Sequence, residues 1–156
     1  MDEPPFERNR CNCTALRKAS RRLSQFYDSA LAPSGLRSTQ FAILAEVDRR
    51  EEAATIHELA EALVMDQSTL GQNLRPLRRE GLIVLAADAS DRRRRNVKLT
   101  RKGRTRLVAA RPLWCDAQTR FEDGFGSRAA AELRAALLRI AGDPGRRDGQ
   151  AAARVD

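Results

Sequence analysis

Three sets of side chains in this 156-residue chain have the types and spacing for chemistry. The first is a run of cations. Residues 91–106 hold nine bases (Arg92, Arg93, Arg94, Arg95, Lys98, Arg101, Lys102, Arg104 and Arg106) against the single acid Asp91, while the rest of the chain holds bases and acids in equal number. The whole net charge of +8 therefore sits in one short stretch, as a local contact with a polyanion requires and a generally basic surface does not. The second set is Gln67, Ser68, Thr69, Gln72, Asn73 and Arg75, short or planar donors and acceptors that match base edges in a major groove. The third is thiols. Cys13 has Arg10 close by and Arg17 one turn later, and a helix N-terminus and an arginine both stabilise a thiolate, so Cys13 is a candidate redox sensor. Cys11 and Cys13 form a C-x-C pair, but helical residues two apart point about 200° away from each other, a poor geometry for a shared metal or a disulfide. Metal ligation would need Cys115 or the single histidine, His57, to approach, and His57 reads instead as a surface or capping residue. No metal and no cofactor is expected.

The elements that must position these groups follow from apolar periodicity. Residues 11–31 carry Leu16, Ala19, Leu23, Phe26, Tyr27 and Ala30 at three- and four-residue steps, the pattern of a long first helix with one apolar face. Ala32-Pro33-Ser34-Gly35 ends it, and Ser38 is expected to cap a second helix bearing Phe41, Leu44 and Val47. Periodicity fails over residues 49–54. Thr55 and Glu58 have the spacing of a capping box for a short third helix to about Leu63. Asp66 is the expected N-cap of a fourth helix, in which Leu70, Leu74 and Leu77 turn inward and the polar set stays outside. Pro76 should bend that helix without breaking it, and Gly81 should end it in the left-handed conformation. Extended segments at 82–85 and 96–99 then enclose a loop at 86–95, with the arginines at or just past its tip. Thr100 is expected to cap a fifth helix to about Phe121 or Gly124, kinked or interrupted at Pro112, and Ser127 a sixth to about Ala141. Residues 1–10 are expected to fray and 142–156 to form a disordered tail.

The implied fold is mainly α, six helices with a small two-stranded β wing. It is a winged helix-turn-helix whose DNA-binding lobe covers residues 38–99. Such a fold divides its labour: a helix end offers polar side chains to base edges, while the wing reaches the neighbouring backbone or minor groove. Arginine suits the wing because a narrow minor groove concentrates negative potential and a guanidinium is weakly hydrated. Charged residues make up 32% of the chain, and no apolar run approaches the roughly 18 residues of a membrane span, so no membrane role is expected. Three cysteines, an odd number, and the lack of an apolar leader point to the cytoplasm. There is no P-loop, G-x-G-x-x-G or H-E-x-x-H, and one histidine leaves little for an acid/base relay, so no enzyme is expected. A thiol peroxidase using Cys13 is the one chemistry left open. A winged helix that contacts protein or RNA is the alternative from another class; the base-matching side chains favour double-stranded DNA.

The segment from Asp91 to Thr100, DRRRRNVKLT, resembles the wing of the MarR family of bacterial transcription regulators, matching its D-x-R-x-x-x-x-x-L-T pattern at Asp91, Arg93, Leu99 and Thr100. Leu59-Ala60-Glu61-Ala62-Leu63, then Asp66-Gln67-Ser68-Thr69-Leu70, Leu77 and Gly81-Leu82-Ile83, are similar to that family's two DNA-binding helices, and the resemblance extends over residues 11–141. It implies a homodimer held by helices 11–31, 100–124 and 127–141 of both subunits. It also implies a pseudo-palindromic operator and repression relieved by a small-molecule effector or by cysteine oxidation. Asp91 would orient the wing through an arginine, and Arg93 or Arg94 would probe the minor groove. In the family's hydroperoxide sensors a reactive cysteine occupies a place similar to that of Cys13, and a tyrosine fourteen residues later, from the partner subunit, helps bind the thiolate. Tyr27 is fourteen residues after Cys13, whereas the further tyrosines of that subgroup are replaced by Arg17 and Ser38. Trp114 and Phe121 would line the family's cavity for small phenolic compounds, or simply pack.

Overall fold

The computed structural model describes residues 10–50, 53–87 and 94–142. Helix α1 (Asn12–Leu31) starts with Cys11 as its N-cap, the sulfur accepting the Thr14 N–H at 3.5 Å. A short 3-10 turn, Ala32–Ser34, follows. Helix α2 (Ser38–Arg49) departs from expectation at its start, where Ser38 is the first helical residue rather than the cap. Asp28 of α1 accepts both the Ser38 N–H and its hydroxyl at 2.6 Å, and Gln40 accepts the Arg37 N–H at 2.9 Å. A carboxylate from the preceding helix thus satisfies an orphan donor that a local cap would otherwise take.

The sheet is larger than the sequence suggested. Ala54–Thr55 forms strand β1, Ile83–Ala87 forms β2 and Arg95–Leu99 forms β3, giving a three-stranded antiparallel sheet of order β1-β3-β2. A two-residue strand has no readable alternation, which is why only the hairpin was visible. Ala86 and Ala87 pair with Asn96 and Arg95, so strands rather than loop hold these residues. The expected disordered ends at 1–10 and 142–156 lie, apart from Arg10 and Gly142, outside the described residues.

Helices α3 (Ile56–Ala62) and α4 (Gln67–Arg79) make the helix-turn-helix. The capping box is present: Thr55 Oγ1 accepts the Glu58 N–H at 3.2 Å, and the Glu58 carboxylate accepts the Thr55 N–H at 2.8 Å. In the turn, Met65 N–H bonds Ala60 O at 2.8 Å while Val64 takes φ 51°. That left-handed conformation costs a β-branched residue about 1–3 kcal/mol, and a glycine there would be unstrained. Helix α4 continues past Pro76 and ends at Gly81, φ 71°, where Leu82 N–H bonds Leu77 O at 2.9 Å. Helix α5 (Arg101–Phe125) runs without interruption through Pro112. Helix α6 (Ser127–Ile140) has Gly126 at φ 93° in the cap position with no side-chain bond, so Ser127 is not its cap.

The chain divides into two compact units, Met1–Ala117 and Gln118–Asp156. In the first, Leu31 and Ile43, Leu44, Leu59, Leu70, Leu77, Leu82, Val97 and Leu107 are fully buried in one cluster. Each such side chain contributes about 1.5–3 kcal/mol over exposure, so α2, α3, α4, the sheet and the first turns of α5 are held as one block. In the second unit Glu122 accepts from Gln118 at 2.8 Å and from Arg134 at 2.6 Å, and Phe121 stacks on Phe125. Among the described residues no helix is long and apolar enough to cross a membrane.

Candidate nucleic-acid interface

Burial of Leu70, Leu74 and Leu77 fixes the rotation of α4 and leaves Gln67, Ser68, Thr69, Gln72 and Arg75 exposed, with Asn73 half-buried. Asp66 organises the first turn. Its carboxylate accepts the Ser68 hydroxyl at 2.6 Å, the Thr69 hydroxyl at 2.6 Å and the Thr69 N–H at 2.7 Å. These bonds, from Ser68 first and then Thr69, pull the Asp66 carboxyl far below the usual carboxylate range. The consequence is chemical: both hydroxyl protons point at Asp66, so what Ser68 and Thr69 have left to offer is lone pairs. Asn73 donates from Nδ2 to Thr69 O at 2.8 Å, which leaves its Oδ1 as an acceptor. Ser68, Thr69 and this Oδ1 therefore offer acceptors, the complement of the exocyclic amines of adenine and cytosine, while Gln67, Gln72 and Arg75 supply donors on the same face.

Arg94 and Arg95, at the base of the wing, are exposed and line a groove of about 530 Å³ with Thr55, Ile56, His57, Glu58 and Gln67. The wing thus meets the start of α3 and the start of α4 on one side of the lobe. Glu58 is held below the usual carboxylate range, chiefly by the Thr55 N–H and hydroxyl, with Arg50 and Arg94 adding smaller attractions. Asp91, Arg92 and Arg93 lie outside the described residues.

The basic stretch divides in a way that composition concealed. Arg104 donates to Asp48 at 2.5 Å, with Arg111 on the other oxygen at 2.6 Å; Lys102 donates to Glu80 O at 2.7 Å, and Arg106 to Ser34 O at 3.1 Å. Lys102, Arg104 and Arg106 thus make internal structural bonds, joining α5 to the end of α4, to α2 and to the Ala32–Ser34 turn. Thr100 caps α5 as expected, its Oγ1 accepting the Gly103 N–H at 3.0 Å and donating to Gly81 O at 2.6 Å. Gly103 was not singled out by sequence, yet a Cβ there would stand 2.0 Å from Leu82 O, so only glycine lets α5 lie against the start of β2. His57, expected at the surface or in a capping role, is exposed, and it also pairs with Gln67 across the turn, Nδ1 to Nε2 at 3.2 Å, a contact between two helices that spacing along one helix cannot reveal.

The thiols divide as well. Cys13 is exposed, and its sulfur bonds the Arg17 guanidinium, which raises the pKa of that arginine. The pKa of Cys11 lies below the ordinary value, chiefly through its bonds with Thr14 at the helix start. Tyr27 meets Phe26 edge-on, and fourteen helical residues set it about 21 Å along the axis from Cys13, so one chain does not bring the two together. Trp114 stacks on Phe41 with centroids 6.0 Å apart. Among the described residues no group of three or more His, Cys, Asp or Glu is gathered in a way that could hold a metal ion.

The comparisons with known proteins follow this geometry. The MarR family profile matches residues 34–94. The solved structure of the M. tuberculosis transcriptional regulator MosR in complex with DNA is similar, with a TM-score of 0.77 at 37% identity, covering 85% of this chain and 94% of that one. The transcriptional repressor CouR bound to a 23-mer DNA duplex has a TM-score of 0.77 at 27% identity, covering 90% and 99%. CouR bound to p-coumaroyl-CoA has a TM-score of 0.76 at 26% identity, covering 90% and 98%. No curated protein sequence matches. With the winged helix-turn-helix in place and a relative of this identity matched over nearly its whole length, the chain belongs to the MarR family of transcription regulators.

Proposed function

We propose that this protein is a dimeric, sequence-specific DNA-binding repressor of transcription, acting in the cytoplasm. Each subunit sets α4 in a major groove of a pseudo-palindromic operator and its wing arginines in the flanking minor groove. The observation that carries the reading is the shared groove, in which Gln67 of α4 and Arg94 and Arg95 of the wing face the same side. Capture of MosR and CouR on DNA supports it. Dimerisation through α1, α5 and α6 is supported by their surfaces: of eight large apolar side chains exposed among the described residues, Leu16, Val108, Trp114, Phe125, Leu138 and Ile140 lie on these helices. Release by a small molecule is supported by CouR bound to p-coumaroyl-CoA. The test is to enrich DNA from a randomised duplex library and measure affinity against salt. With ~6–10 phosphates neutralised, affinity falls roughly 10³–10⁵-fold between 50 and 200 mM salt. Affinity unchanged over that range removes the reading.

A second mode of release, oxidation of a thiol, is favoured by the Arg17 guanidinium at the exposed Cys13. Cumene hydroperoxide should then free DNA from the wild type and not from Cys13→Ser. Release that survives in Cys13→Ser and disappears in Cys11→Ser transfers the role to the N-cap thiol.

A further inference from the structure

We infer that His57 is a positioning residue for sequence readout: its neutral ring holds the Gln67 amide in the orientation that suits adenine, and a proton on the ring turns that amide over. The inference rests on the DNA-binding reading of α4. His57 Nδ1 lies 3.2 Å from Gln67 Nε2, and His57 Nε2 lies 3.4 Å from a carboxylate oxygen of Glu61. An amide nitrogen only donates, so Nδ1 is the bare nitrogen and the ring proton sits on Nε2, facing Glu61. The amide of Gln67 then has one N–H engaged and keeps its second N–H and its Oε1 for the groove. Those two atoms are the pair with which a glutamine meets N7 and N6 of adenine. Once Nδ1 carries a proton it becomes a donor, and only Oε1 of Gln67 can accept from it. The amide must rotate, nitrogen replaces oxygen, and the complement to adenine is lost.

The ring is placed for such a change. His57 and Glu61 have side chains 65% and 69% exposed, so neither is locked in the core. The charged groups beside the ring are Glu58 and Glu61 on its own helix and Arg94 and Arg95 from the wing side of the groove, and the adjoining helix brings Asp66 as its N-cap.

The test is selection from a randomised duplex library with the full-length protein at about pH 8 and about pH 5.5, a range over which imidazoles change charge. The position read by Gln67 is identified by its loss in Gln67→Ala. At the higher pH it should prefer an A·T pair by about five- to a hundredfold, and at the lower pH that preference should vanish while the rest of the motif persists. His57→Asn, whose Oδ1 replaces the bare Nδ1 and takes no proton, should keep the preference at both pH values, and His57→Ala should weaken it at both. The same motif at every position, at both pH values and in His57→Ala, overturns the inference and leaves DNA binding standing. A wild type that enriches no motif at either pH overturns the DNA-binding reading, and this inference with it.

Discussion

Replacing Gly103 with alanine sets opposed effects against each other. Alanine in a helix interior gains about 0.8–1 kcal/mol over glycine. Against that gain, the new Cβ would meet Leu82 O at 2.0 Å and the Leu82 carbonyl carbon at 2.9 Å, both backbone atoms. A comfortable carbon–oxygen contact is about 3.4 Å, so the start of α5 or of β2 must retreat by more than an ångström, at the ~1–3 kcal/mol typical of overpacking. That retreat strains the bonds Leu82 O accepts from the Thr100 N–H at 3.0 Å and Oγ1 at 3.2 Å, and an orphaned carbonyl adds about 1–3 kcal/mol. The expected net loss is about 1–5 kcal/mol. Gly71→Ala is the control, since its Cβ position meets nothing within 4 Å beyond the adjoining backbone of its own helix and the same helical gain goes unopposed. Urea unfolding at one fixed protein concentration reads both, because self-association would otherwise shift the midpoint. A Gly103→Ala protein as stable as Gly71→Ala would refute the argument that α5 is seated on the Leu82 carbonyl.

Acid should reveal Asp66. Its carboxyl is held below the usual range by Ser68 and Thr69, so the stability it contributes is present above the unfolded value near pH ~4 and is lost as pH falls through the folded value. Asp66→Asn should therefore unfold with a shallower dependence on pH below ~4 in urea titrations, and an unchanged slope contradicts the assigned bonds. Asp48→Ala leaves Arg104 and Arg111 without their shared acceptor and should lower stability by about 1 kcal/mol, near the small end of the range because both arginines are half-exposed; a thermal melt identical to wild type means the clamp is idle. Leu70→Ala opens the buried side of α4 and should lose about 2–5 kcal/mol, with near-wild-type stability contradicting its place in the core.

The elements legible in the sequence were those whose signal lies within one segment. Thr55 with Glu58, Asp66, Gly81 and the leucine stripe of α4 each declare a local geometry, and each stands where expected. What escaped depends on chain segments meeting. Strand β1 exists because Ala54 and Thr55 find Val97 and Asn96 more than forty residues away. Asp28 satisfying Ser38, Gly103 clearing Leu82, and His57 reaching Gln67 are all contacts between elements. The basic run was visible as charge, but its division into wing arginines and internal bonds required knowing that Asp48 faces α5.

Hydroxyl-radical footprinting of the full-length protein on a duplex recovered by selection tests the central claim most directly. The expected result is a two-fold pattern, with half-sites about one helical turn apart and outer minor-groove protections that disappear when Arg93 and Arg94 are both replaced by alanine. A single asymmetric patch, or outer protections that survive the double substitution, would contradict it.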